Sequence, residues 1–187
     1  MMRFFLILAA SLLATPALAA GSSGFMSGLL HPVLGFDHLL AMIGVGLLST
    51  QLGGKHIWYL PAAFVFFLMV GGLVGLMEVP LPAVEGVIAG SVLILGLAIA
   101  TGGVLGTALA YPIVAIFAIF HGHANGMEVP SLGEPAGYVI GFMIASAVLH
   151  LIGVGIGELF KGSIRRHLGS AMAGIGGYML LLLYGLV

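Results

Sequence analysis

The sequence has no cysteine. Disulfides and thiolate ligands are thereby excluded, so a metal ion could be held only by imidazole, carboxylate, amide or thioether groups. Charge is also scarce: Asp, Glu, Lys and Arg make up 6% of the 187 residues and net to -1, which leaves no basic surface for nucleic acid. No G-x-x-x-x-G-K-[ST] stretch offers a phosphate cradle for ATP, and no H-E-x-x-H stretch offers a zinc-protease helix. Loops between the apolar blocks stay within about fifteen residues, a length typical of connections rather than of a soluble domain.

What the chain has in abundance is apolar surface. It is 61% hydrophobic with a mean hydropathy of +1.26, a balance that a soluble domain of this size does not show. We therefore expect an all-α, polytopic membrane protein. Its 31 glycines, scattered through apolar segments, read as residues that let helix backbones approach closely in lipid.

Residues 1–20 read as a secretory signal: Arg3, the run FFLILAASLL, a break at Pro16 and the small-residue pattern Ala17-Leu18-Ala19. The alternative is an uncleaved first helix. Residues 21–187 then form one transmembrane domain of six apolar blocks, approximately 32–50, 57–77, 83–101, 103–122, 136–157 and 168–187, each near the ~20 residues that cross a bilayer. Charge sorting supports six crossings. Lys55, Lys161, Arg165 and Arg166 fall in two loops on one side, whereas Glu78, Glu85, Glu128 and Glu134 fall on the other, as the positive-inside bias requires. Both mature termini are then expected outside the cytoplasm. MEVPLPAVEGVI at 77–88 resembles MEVPSLGEPAGYVI at 127–140, which raises an internal duplication that four identical consecutive residues do not decide.

Two constellations carry chemistry. In HPVLGFDHLL, residues 31–40, Pro32 suits a first helical turn and leaves His31 just ahead of it. His31 and His38 then share one face, with Met42 a turn deeper, while Asp37 points about 100° away. All three polar groups could share an ion only through an irregular helix start or a second helix. An ionised aspartate in the bilayer costs several kcal/mol unless paired or bound to a cation, and the bland alternative is a polar clasp between Asp37 and His38. In FHGHANGMEVP, residues 120–130, His121, His123, Asn125 and Glu128 crowd the outer end of the fourth block. The alternative there is a helix C-cap with Asn125 or Gly126 left-handed.

Both clusters lie at one membrane face and could form a common mouth. Glu85, at the start of the third block, and His150, deep in the fifth, are further metal candidates; a core histidine is the other reading of His150. His56, Glu158 and His167 read as loop residues, and Met69, Met143 and Met172 as packing. Nitrogen and oxygen ligands without thiolate suit a borderline divalent ion such as Ni²⁺, Co²⁺ or Zn²⁺. Sites spread along a path also suit movement better than storage.

HPVLGFDHLLAMIGVGLLS, FHGHANGMEVP and LHLIGVGIG together resemble the HupE/UreJ family of membrane proteins, over the whole chain. The resemblance implies a nickel permease or diffusion facilitator of the bacterial inner membrane that supplies hydrogenase or urease maturation, with cobalt as a second substrate. It assigns His31, Asp37 and His38 as signature residues of the first helix and His121, His123 and Glu128 of the fourth. It further implies no enzyme activity, no prosthetic group, the metal ion and the lipid bilayer as partners, and an indirect link to nickel-enzyme maturation proteins; homo-oligomerisation is left open. The H-x5-D-H spacing differs by one from the H-x4-D-H motif of a separate nickel/cobalt permease family, and no homology is inferred. Two competing functions remain: a haem enzyme, for which His38 and His150 would be the pair to consider although their expected depths disagree, and a metal-binding scaffold that does not transport.

Overall fold

A computed structural model describes residues 24–102, 104–129 and 134–187; the expected signal segment and part of the second MEVP loop lie outside them. The described residues form seven α-helices and no strand: α1 Gly24–Leu34, α2 Phe36–Leu52, α3 His56–Leu76, α4 Val84–Ala100, α5 Thr107–Glu128, α6 Pro135–Leu159 and α7 Ser163–Leu183. The all-helical expectation holds. Helices α3, α5 and α6 are each long and apolar enough to cross a membrane, and α1 with α2 makes a fourth such unit bent by 74°. Helix α4 is apolar but has only 17 residues, and α7 opens with Arg165, Arg166 and His167.

Several boundaries differ from expectation: α7 begins at Ser163 and α5 at Thr107, and His56, Glu158 and His167, read as loop residues, lie inside α3, α6 and α7. The first block starts at Gly24, so Pro32 lies in the last turn of α1 rather than the first turn of a helix. The fifth helix runs to Glu128, with Asn125 and Gly126 inside it rather than capping it. A break at Gly35, whose backbone is extended at φ -74° and ψ 103°, divides the first block. A Cβ at Gly35 would lie 3.2–3.4 Å from the His31 carbonyl, His38 Nδ1 and Asp37 Oδ1, so a larger residue there would press on all three.

The surface is apolar and the interior partly polar, the reverse of a soluble domain. Trp58, Tyr59, Leu73, Ile140 and Leu151 are more than half exposed, whereas His38, His121, His123, Asn125 and His150 are buried. Lipid, not water, is the solvent such an exterior fits. With no hydrophobic force between helices in lipid, close backbone contact must hold them, and glycines supply it. A Cβ at Gly71 of α3 would strike the Ile119 carbonyl, and one at Gly122 of α5 the Leu68 carbonyl. Gly28 and Gly141 close α1 on α6, Gly46 and Gly153 close α2 on α6, and Gly96 and Gly169 close α4 on α7 in the same way.

End-to-end contacts show that the blocks alternate in direction. Arg165 Nη1 donates to Thr50 Oγ1 at 3.1 Å and Arg166 Nε to the Ala100 carbonyl at 2.9 Å, which gathers the ends of α2 and α4 with the start of α7. At the opposite end, His123 Nε2 meets the Val79 carbonyl and the Gly24 amide donates to Glu134 Oε2. Arg165 and Arg166 thus lie at one end of the bundle.

Candidate metal-ion site

The break at Gly35 frees the start of α2 to form a local clasp. Asp37 Oδ1 accepts the His38 backbone N–H at 2.7 Å and the His38 ring Nδ1–H at 2.7 Å. One carboxylate oxygen therefore both satisfies a helix N-terminal donor and fixes the imidazole. The clasp weighed against a metal role in the sequence is present, and it turns His38 Nε2 inward. His31, on α1, reaches the same place because the chain bends rather than through a continuous stripe: its ring lies 5.5 Å from that of His38. Glu128 approaches His31 Nδ1 at 3.4 Å from the end of α5. The outer mouth thus joins α1, α2 and α5, with His31 and Glu128 at its accessible rim and His38 beneath.

Deeper in, His121 is fully buried and its ring stands edge-on to His38 at 4.6 Å. Ser91 Oγ donates to the Ile88 carbonyl and lies 3.0 Å from His121 Nε2. Since the hydroxyl proton is committed to Ile88, His121 donates from Nε2 and leaves the Nδ1 lone pair bare. Beyond His121 comes Phe64, 0% exposed, with ring centroids 6.0 Å from His121 and 4.8 Å from His150. His150 donates from Nδ1 to the Ser146 carbonyl at 2.6 Å, and its buried Nε2 has no partner. The rings of His31, His38, His121, Phe64 and His150 form one file into the bundle.

Each buried imidazole is held by an oxygen on one nitrogen: Asp37 for His38, Ser91 for His121, Val79 for His123 and Ser146 for His150. Orientation of the far nitrogen by a carboxylate or carbonyl is how proteins prepare a histidine as a metal ligand. Three of the four leave a lone pair buried without a partner, on His121 Nδ1, His123 Nδ1 and His150 Nε2.

Not every candidate joins the file. His123 points to the α3–α4 loop through its 2.7 Å contact with the Val79 carbonyl. Glu85 is exposed in the first turn of α4. Met42 is fully buried in the apolar core, one turn below His38 on α2. Among the described residues, no three His, Asp or Glu side chains converge closely enough to enclose an ion. Sequence reasoning passed over Phe64 and Ser91, and over Tyr138 and Phe142, whose rings each lie 5.9 Å from that of His31, and gave Asn125 no ligand role. Only helix rotation brings these residues in, and a single sequence carries no signal of that. The apolar cavity of about 220 Å³ between α3, α5 and α6 has Asn125 and Tyr138 as its polar lining; its alkyl walls suit a hydrocarbon chain rather than a cation.

The profile of the family described as HupE / UreJ protein matches residues 4–180. The chain belongs to the HupE/UreJ family. Protein HupE of Rhizobium leguminosarum bv. viciae is 40% identical over 164 residues, 86% of each chain. No solved structure matches. Family membership and the apolar helices together make this a multi-pass membrane protein, and the buried imidazole file is thus a feature of a HupE/UreJ chain.

Separation of His123 from the file gives a test within the family motif. His123→Ala should remove the Val79 contact at a cost of about 1 kcal/mol of stability, which thermal unfolding in detergent measures.

Proposed function

We propose that the protein carries a divalent transition-metal ion, Ni²⁺ first and Co²⁺ second, across the bacterial inner membrane into the cytoplasm, where it supplies hydrogenase or urease maturation. The observation that carries this reading is the file of oxygen-oriented imidazoles with inward lone pairs, running from the rim pair His31–Glu128 to His150. A borderline ion favours such nitrogens over the oxygen cages that hold Mg²⁺ and Ca²⁺. Nickel over cobalt and zinc rests on family resemblance.

In this mechanism the ion enters from the side of the acidic loops and meets His31 and Glu128. It loads at His38 and His121 and moves on to His150. Phe64 separates the last two stations, so its ring must turn for the ion to pass. Six crossings with outward termini, as the basic-residue sorting indicates, place His150 toward the cytoplasm. The driving force is the membrane potential, an ion gradient or consumption of nickel inside, because the chain carries no nucleotide motif. The alternative, a metal-binding scaffold for enzyme assembly, shares the site but predicts no net movement of ion.

Radioactive nickel uptake into cells expressing the protein or His38→Ala, with Co²⁺, Zn²⁺ and Cu²⁺ as competitors, separates them. We expect saturable uptake, competed chiefly by Co²⁺ and lost in the variant. Binding without uptake by the intact protein favours the scaffold.

A further inference from the structure

His38 differs from the other buried imidazoles in one respect: its inward lone pair is capped. Asn125 Nδ2 lies 2.8 Å from His38 Nε2 and 2.6 Å from the His121 carbonyl, and Tyr138 donates its hydroxyl to Asn125 Oδ1 at 3.2 Å. The amide orientation follows from these partners, since an oxygen in the Nδ2 position would face two acceptors. Asn125 is 4% exposed and His38 6%, so water does not substitute for either contact. A partly positive NH₂ group thus stands where two lone pairs converge, the place a cation would take.

We propose that the Asn125 carboxamide is a displaceable plug and ligand of the loading site: Nδ2 holds the place of the ion, and rotation of the amide presents Oδ1 to the ion when it arrives. This proposal rests on the metal-ion reading of the site. The two ends of a carboxamide have nearly the same size, so the rotation needs little new volume. In the rotated state Oδ1 faces His38 Nε2 and the His121 carbonyl. With nothing between them these acceptors repel; with a divalent ion among them they ligate it. Tyr138 serves both states, because its hydroxyl donates to Oδ1 before rotation and accepts from Nδ2 after it. The spacing fits as well. Two ligands about 2.1 Å from one ion and at right angles to each other stand about 3 Å apart, close to the 2.8 Å that separates Asn125 Nδ2 from His38 Nε2. The site so formed suits a six-coordinate divalent ion with mixed nitrogen and oxygen ligands, its remaining positions held by water or by the rim groups.

The test is equilibrium binding of Ni²⁺, and of Co²⁺ followed by its visible d–d bands, to the full-length protein in nanodiscs. Wild type, Asn125→Leu and Asn125→Asp are compared. Asn125→Leu keeps the bulk without plug or ligand and should bind at least about tenfold more weakly, a typical loss when a group of the metal site is removed. Asn125→Asp keeps the oxygen and loses the NH₂ plug; it should bind more tightly than wild type, release Ni²⁺ more slowly and shift the Co²⁺ bands. Tight binding by the aspartate variant also shows that position 125 tolerates change without loss of the fold. If Asn125→Leu binds as wild type does, or Asn125→Asp leaves the Co²⁺ bands unmoved, the plug is overturned while the transport reading stands. If wild type binds neither ion, both fall.

Discussion

Asp37→Asn should reduce nickel uptake by about 10- to 100-fold, the usual cost of removing a carboxylate that supports a metal-binding histidine, while the protein accumulates in the membrane at its normal level. The substitution is isosteric. Asn can still accept the two 2.7 Å contacts that Asp37 makes with the His38 amide and ring, so the start of α2 keeps its cap. What changes is charge and tautomer. The carboxylate holds the ring proton on Nδ1 and leaves Nε2 as an acceptor for Asn125. An amide turned to present its NH₂ to Nδ1 gives up that cap and drives the proton to Nε2, where it would oppose the Asn125 NH₂ and deny the ion its ligand. Loss of the negative charge also removes the attraction that offsets dehydration of a divalent ion in a low-dielectric setting. Uptake by membrane vesicles, normalised to protein by immunoblot, measures the effect. Near-normal uptake would make Asp37 a structural clasp and nothing more.

The sequence made the periodic and compositional features legible and hid those that depend on helix rotation. Apolar block lengths located α3, α4 and α6 to within two residues, because hydrocarbon thickness constrains them, whereas the first, fourth and last blocks miss a helix end by four to eight residues. Gly35 was harder. A glycine in an apolar run reads as packing, and nothing in its spacing marks the extended backbone, φ -74° and ψ 103°, that breaks the helix there. The break brings His31 and His38 together at 5.5 Å, a meeting that the sequence attributed to a stripe on one continuous helix. His121 and His38 were expected close together, and their rings lie 4.6 Å apart, but that His123 turns to Val79 depends on where α5 faces α3. Phe64 carried no signal at all. In an apolar helix it is one aromatic among several, and its position between His121 and His150 emerges only when α3, α5 and α6 are packed.

That packing is itself open to test at Gly122, where substitution should cost the folded protein as well as its ion site. A Cβ at Gly122 would fall on the Leu68 carbonyl of α3, and the reciprocal Gly71 faces the Ile119 carbonyl of α5. Backbone atoms cannot turn aside as a flexible side chain can, so α3 and α5 must separate. Gly122→Val should therefore lose at least about 1–3 kcal/mol, the range for overpacking a tight interior, and more if the separation spreads along the helices to Gly126, which faces the Gly72 carbonyl. Gly90→Ala is the matched control. Gly90 lies within α4 and a Cβ there meets nothing within 4 Å, so alanine should be neutral or stabilising by up to about 1 kcal/mol through helix propensity. Thermal unfolding in detergent compares the two. Because Gly122 lies between His121 and His123 in the chain, a separation at that point also moves His121 away from Phe64 and His38, and nickel binding should fall in parallel with stability. Parallel loss would tie the ion path to the glycine contacts: the small residues that let α3 and α5 approach in lipid also bring the buried imidazoles within reach of one another. Equal stability of the two variants would mean that the α3–α5 contact is looser than its backbone geometry implies.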